Sequence, residues 1–133
     1  MANLTNAMAI KFLNGLTGET PLTTPTTVYL ALFTADPTVT GSVANELSGG
    51  GYARISLAGM FPTATTGEVS TDTLVESVIA SSDWTEITHI GYMESAIVAT
   101  DDMMEHSELS ASVTVLNGGR FSIAIGNLAI TAV

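Results

Sequence analysis

The sequence predicts a mainly β protein, an antiparallel β-sandwich of jelly-roll type with one N-terminal α-helix serving as an arm. Three observations lead there. From residue 27 onward, apolar and polar residues alternate over short segments, the period of two that marks half-buried strands. Gly, Asn, Asp and Pro separate those segments at short intervals, as in sandwiches built from many short strands. Only the opening stretch repeats its apolar residues every four positions, the spacing of a helix face. A chain of 133 residues and 13.7 kDa fits one compact domain. It divides into residues 1–25, a helix and an extended connector, and residues 26–133, the sandwich.

In the opening stretch Leu4, Met8, Phe12 and Leu16 form the stripe, which Ala7 and Leu13 widen. Asn3 is placed to cap the helix, and Gly15 or Gly18 to end it. Pro21 and Pro25 then prevent helix and extend the chain. Such a helix either covers one end of its own sheet or reaches out as an arm. In the second role Leu4, Met8, Phe12 and Leu16 are the expected partner-contact residues.

Residues 27–33 (TVYLALF) are apolar on both alternating faces, which predicts a central strand covered on both sides. Asp36 before Pro37 marks a turn, and residues 38–51 form a long loop ending in three glycines. In residues 52–57 (YARISL), alternation places Ala53, Ile55 and Leu57 inward and Tyr52, Arg54 and Ser56 outward. Further strands are expected over residues 73–79, 87–93, 95–99 and 112–116. Asn117, Gly118 and Gly119 make a tight hairpin turn. The last strand covers residues 120–131, with a β-bulge where the phase slips at Gly126 and Asn127.

Charge narrows the function. Three basic residues against thirteen acidic ones give a net charge of −10, which repels rather than grips a nucleic-acid backbone. Cysteine is absent, which excludes disulfide scaffolds and thiolate chemistry. The longest apolar run, residues 28–33, is strand length and far short of the about 20 residues of a membrane span. The N-terminus lacks the basic start of a signal peptide, so the chain is expected to be made in the cytoplasm. His89 lies in a strand and reads as a structural residue, with no partnered nucleophile in the sequence. Asp101, Asp102, Glu105, His106 and Glu108 are dense enough to suggest calcium, but Met103 and Met104 occupy their centre and an EF-hand pattern is missing. A solvated connecting loop is the reading there. The three glycines at 49–51 precede a strand instead of a helix, so they form no phosphate cradle. No catalytic, cofactor-binding or metal-binding residue is assigned, and no cofactor is expected.

The blocks TVYLALFTADPT, ELSGGGYAR and DWTEITHIGYMES, with the opening LTNAMAIKFLNGLTG, resemble a family of small virion proteins of tailed bacteriophages and prophages. Its members are labelled tail-fibre-like or capsid decoration (cement) proteins. The matching positions are residues 28–37, 46–54 and 83–95; with the opening, the similarity is spread over about the first three quarters of the chain, and it departs after Ile97, where a Gly-rich hairpin gives way to DDMMEHSE. The resemblance implies a β-rich, non-enzymatic subunit that is oligomeric and fixed to a larger assembly. Only 12% of residues are charged, a sparse cover for the roughly 6,600 Å² expected of a fold this size, and a surface suited to permanent contacts. The first expectation is therefore a decoration protein on the capsid exterior, a homo-oligomer, in particular a trimer, bound to the major capsid protein. The alternative is a tail or tail-fibre component concerned with host contact. A carbohydrate- or calcium-binding module is a third, and it lacks aromatic platforms, since Trp84 is the only tryptophan.

Overall fold

A computed structural model describes residues 3–131; the outermost ends of the two predicted segments, residues 1–2 and 132–133, lie outside the described residues. In chain order the elements are β1 (Asn3–Leu4), α1 (Asn6–Thr17), β2 (Tyr29–Phe33), β3 (Ile55–Ser56), β4 (Glu68–Ser70), β5 (Val75–Glu76), β6 (Ile87–Met93), β7 (Met103–Val113), β8 (Ser122–Ile123) and β9 (Ala129–Thr131). The protein is mainly β, all described strand pairs are antiparallel, and its helix lies near the N-terminus, as expected.

One open sheet of five strands, in the order β1-β7-β6-β2-β3, forms the first layer. Two short ribbons, β4 with β9 and β5 with β8, stand across from it. Between them lies the main core. Leu30, Leu32, Ile55, Ile90 and Tyr92 reach it from the sheet, and Val75, Phe121 and Leu128 from the ribbon segments. The opposite face of β2 and β6 carries a smaller cluster of Ala31, Phe33, Met93 and Met103. Strand β2 is thus covered on both faces, because every second side chain on each side is apolar.

Several expectations are corrected. Thr5, not Asn3, caps α1, and Asn3 pairs with His106 in β1. Residues 101–108 are not a connecting loop, since β7 starts at Met103 and runs beside β6. Residues 95–99 are turns, not a strand. The expected strand at 120–131 is split into β8 and β9 by a turn in which the Gly126 amide donates to the Thr71 carbonyl. Ala53 is exposed and Arg54 is buried, the reverse of the alternation. Strand β3 begins only at Ile55, and Arg54 just before it is turned inward to the carboxylates of Glu46 and Asp102.

Candidate functional site

The surface most unlike that of an isolated domain belongs to α1. Its root is fixed. The Thr5 amide donates to the Met104 carbonyl at 2.9 Å, its hydroxyl donates to the Met103 carbonyl at 2.8 Å, and the same oxygen accepts from the Met8 amide. This satisfies one of the orphan amides of the first turn. At the other end Gly18, at φ 76°, closes the helix with its amide turned back to the preceding turn.

No side chain of α1 is buried. Ala7, Met8 and Lys11 face the domain, across a cleft from Thr40, Gly41, Met103 and Met104, and Lys11 Nζ reaches Glu94 at 2.7 Å. At 100° per residue the remaining apolar positions therefore point outward. Ile10 is 59% exposed, Phe12 43%, Leu13 58% and Leu16 70%. The helix is amphipathic in the inverted sense, with its one cation turned toward the body and its apolar face turned toward water. Of the residues expected to meet a partner, Phe12 and Leu16 lie on this outward face, Met8 is half-buried on the inward side, and Leu4 lies in β1, largely exposed. Met8, Phe12 and Leu16 keep their four-residue spacing within α1, and Leu4 falls outside that row because the helix starts only after Thr5.

The second feature is a buried charge node that reading by alternation missed. All five guanidinium N–H groups of Arg54 are used. Nε and Nη2 donate to the two oxygens of Glu46, Nη1 to Asp102 and the Ser95 carbonyl, and Nη2 also to the Thr100 carbonyl. Glu46 further accepts from the Ala99 amide at 2.7 Å and from the Tyr52 hydroxyl at 3.1 Å, while that hydroxyl accepts from the Leu32 amide. Burial disfavours the Arg54 charge, and the carboxylates of Glu46 and Asp102 outweigh it, holding its pKa above the ordinary value. Burial is also the main cause that raises the Tyr52 pKa far above its usual value. The node ties β2 and the 38–54 loop to the turns at 94–102. The signal was available as a Glu and an Arg eight residues apart around a glycine run, but its third member, Asp102, is 48 residues away.

The acidic cluster is dispersed by the fold. Asp102 is held by Arg54, Glu105 is half-buried with Oε2 unpartnered, and His106 Nδ1 lies 3.7 Å from Asp36. Among the described residues no three His, Asp or Glu side chains converge as a metal site would require. His89 Nδ1 lies 2.8 Å from the hydroxyl of its neighbour Thr88. An open cleft of about 680 Å³ separates β7 from the β8–β9 segment and is lined by Ile90, Tyr92, Leu109, Phe121 and Leu128 together with Ser107. No described helix is long and apolar enough to cross a membrane.

A β-rich body with an outward apolar helix, its buried charges spent on bracing loops, has the build of an assembled subunit, and comparison with known families identifies it as a small structural protein of tailed-phage virions. The family model that matches is the podophage GP4 fiber I protein gp80, over residues 3–131, and the chain belongs to that family. The match continues through the C-terminal third, where the resemblance of the sequence blocks ended. No curated protein matches the chain.

Proposed function

We propose that this protein is a structural subunit of a phage tail fibre, acting through its surfaces and not through chemistry. The observation that carries the reading is the family match, whose description is that of a fibre protein and which spans residues 3–131. That description favours the fibre over the capsid decoration that the sequence placed first. The apolar face of α1 adds support, because a helix with no buried side chain and exposed Ile10, Leu13 and Leu16 suits a subunit held by neighbours.

Immunogold electron microscopy of purified virions with antibody against this chain tests the proposal. Label on the fibres at the tail is the expected result. Label over the capsid shell overturns it and restores the decoration reading. A deletion of the gene separates the two again: fibreless particles with stable, filled heads are expected, and fragile heads with intact fibres contradict the proposal.

A further inference from the structure

We infer that the open cleft beside β7 takes an extended, basic peptide segment of another protein, laid along the free edge of residues 107–113 as an added strand. The inference stands on the cleft itself and applies equally to a subunit of a fibre or of a shell.

The edge dictates the shape of the occupant. Strand β7 pairs with β6 on one side, but its other side meets β1 only at Glu105 and His106. Leu109, Ser110, Ala111 and Ser112 have no opposite residue in either ladder, because the register shifts between the pairs His89–Glu108 and Ile87–Val113. No backbone hydrogen bond outside the ladders reaches them among the described residues, and Ser110, Ala111 and Ser112 are exposed. An edge left open in this way is a template for a further strand. Its side chains are small, so another backbone can come close. Residues 107–113 span at most about 23 Å at ~3.3 Å per residue, and the occupant is an extended segment of similar length.

The cleft dictates the side chains. The space between β7 and the β8–β9 segment is about 680 Å³, within the range of ligand-binding clefts. Ile90, Tyr92, Leu109, Phe121 and Leu128 give it an apolar floor, so alternate side chains of the added strand are apolar. A sugar is a poor occupant, because Tyr92 and Phe121 are 2% and 1% exposed and offer no open aromatic face. Glu68 and Glu108 are the only charged residues along the cleft, and neither is in an ion pair among the described residues. Charge complementarity therefore asks for Lys or Arg on the occupant. A second copy of this chain is the poorer match, since Lys11, Arg54 and Arg120 are already paired with Glu94, Glu46 and Glu76.

Titration of the purified full chain with two synthetic peptides, Lys-Val-Thr-Val-Thr-Val-Lys and Glu-Val-Thr-Val-Thr-Val-Glu, followed by amide hydrogen exchange, tests this. The lysine peptide is expected to bind with a Kd below about 1 mM and to slow exchange at residues 109–112 at least tenfold, while β2 is unchanged. The glutamate peptide is expected to bind at least tenfold more weakly. No binding of the lysine peptide, equal binding of both, or binding that leaves residues 109–112 unprotected overturns the inference. Ala111→Pro removes an amide from the edge and is expected to weaken the lysine peptide at least tenfold. Ser110→Lys, an exposed change that spares the backbone, is expected to weaken it through charge, whereas Ser110→Gln keeps wild-type affinity; equal affinity of these two variants also overturns the inference. Self-association of the peptide-free chain that Ala111→Pro abolishes assigns the edge to a second copy instead and overturns it as well. Peptide binding reads the cleft wherever the chain sits in the virion, so its failure leaves the fibre reading intact, and antibody label on the capsid leaves the cleft intact.

Discussion

Arg54 meets Glu46 fork to fork, with Nε 2.8 Å from Oε1 and Nη2 3.0 Å from Oε2, and the two side chains are 0% and 1% exposed. A bidentate pair this dry fixes geometry more than it adds stability, because desolvation offsets most of the attraction. Its consequence lies in what it holds: β2 through Tyr52 and Leu32, the turn at Ala99, and the start of the strand that follows Asp102.

Breaking the pair from one side leaves the other charge buried and alone. Arg54→Ala and Glu46→Ala are each expected to destabilise the fold by about 3–5 kcal/mol and to lower Tm by about 10 °C or more. In a double-mutant cycle the pair of substitutions costs clearly less than the two added together. Thermal and urea unfolding measure both; additive losses would show that the node does not act as a unit.

Ala99 adopts φ 62°, a left-handed conformation, while its amide donates to Glu46. A side chain there is strained by about 1 kcal/mol. Ala99→Gly is therefore expected to stabilise the protein by about 0.5–1 kcal/mol, less the entropy that glycine adds to the unfolded chain. The unfolding midpoint in urea checks the sign.

Burial raises the pKa of Glu105, whose Oε2 has no hydrogen-bond partner among the described residues. The folded state then holds that proton more tightly than the unfolded chain. Its contribution is fully present below the ordinary carboxylate pKa and is lost as pH rises through the folded value. Glu105→Gln, which is neutral at every pH, is expected to raise Tm at pH 7 by about 2–4 °C and to make no difference at acidic pH. A gain that persists in acid would contradict the cause.

Thr5→Ala removes both the cap to Met8 and the bond to the Met103 carbonyl. The expected cost is about 1–2 kcal/mol, concentrated on α1, so amide exchange over residues 6–17 rises while β2 and β6 stay protected. Thr5→Ser keeps the oxygen and is expected to restore most of the protection.

At Gly50, φ is 58° and an added Cβ would sit 2.7 Å from the Trp84 indole, whose Nε1 donates to the Gly50 carbonyl. Gly50→Ala is expected to cost about 1–3 kcal/mol and to push the ring outward. Trp84 is the only tryptophan, so a red-shifted emission reports its displacement directly.

Strands whose stability is local were legible in the sequence. Residues 27–33 and 87–93 read as strands because their own apolar pattern buries them, and they became β2 and β6. The Asp36 turn also followed from local chemistry, with Oδ1 accepting from the Thr38 amide. What stayed hidden depends on distant partners. Strand β7 looked like a solvated acidic loop, since nothing near Asp102 reveals that Arg54 neutralises it from 48 residues away. Arg54 was placed outward for the same reason. Helix α1 was visible, but the side it turns to the body was not, because Glu94, 83 residues on, claims Lys11.

The joint at Thr5 also sets how the molecule takes strain. Tension applied at α1 enters the body beside β7, through two paired residues of β1 and the bonds of Thr5. That seam is far shorter than the ladders joining β7 to β6 and β6 to β2. Under load the anchor is therefore expected to separate before the sheet behind it does, since two paired residues face the longer β6–β7 and β2–β6 ladders.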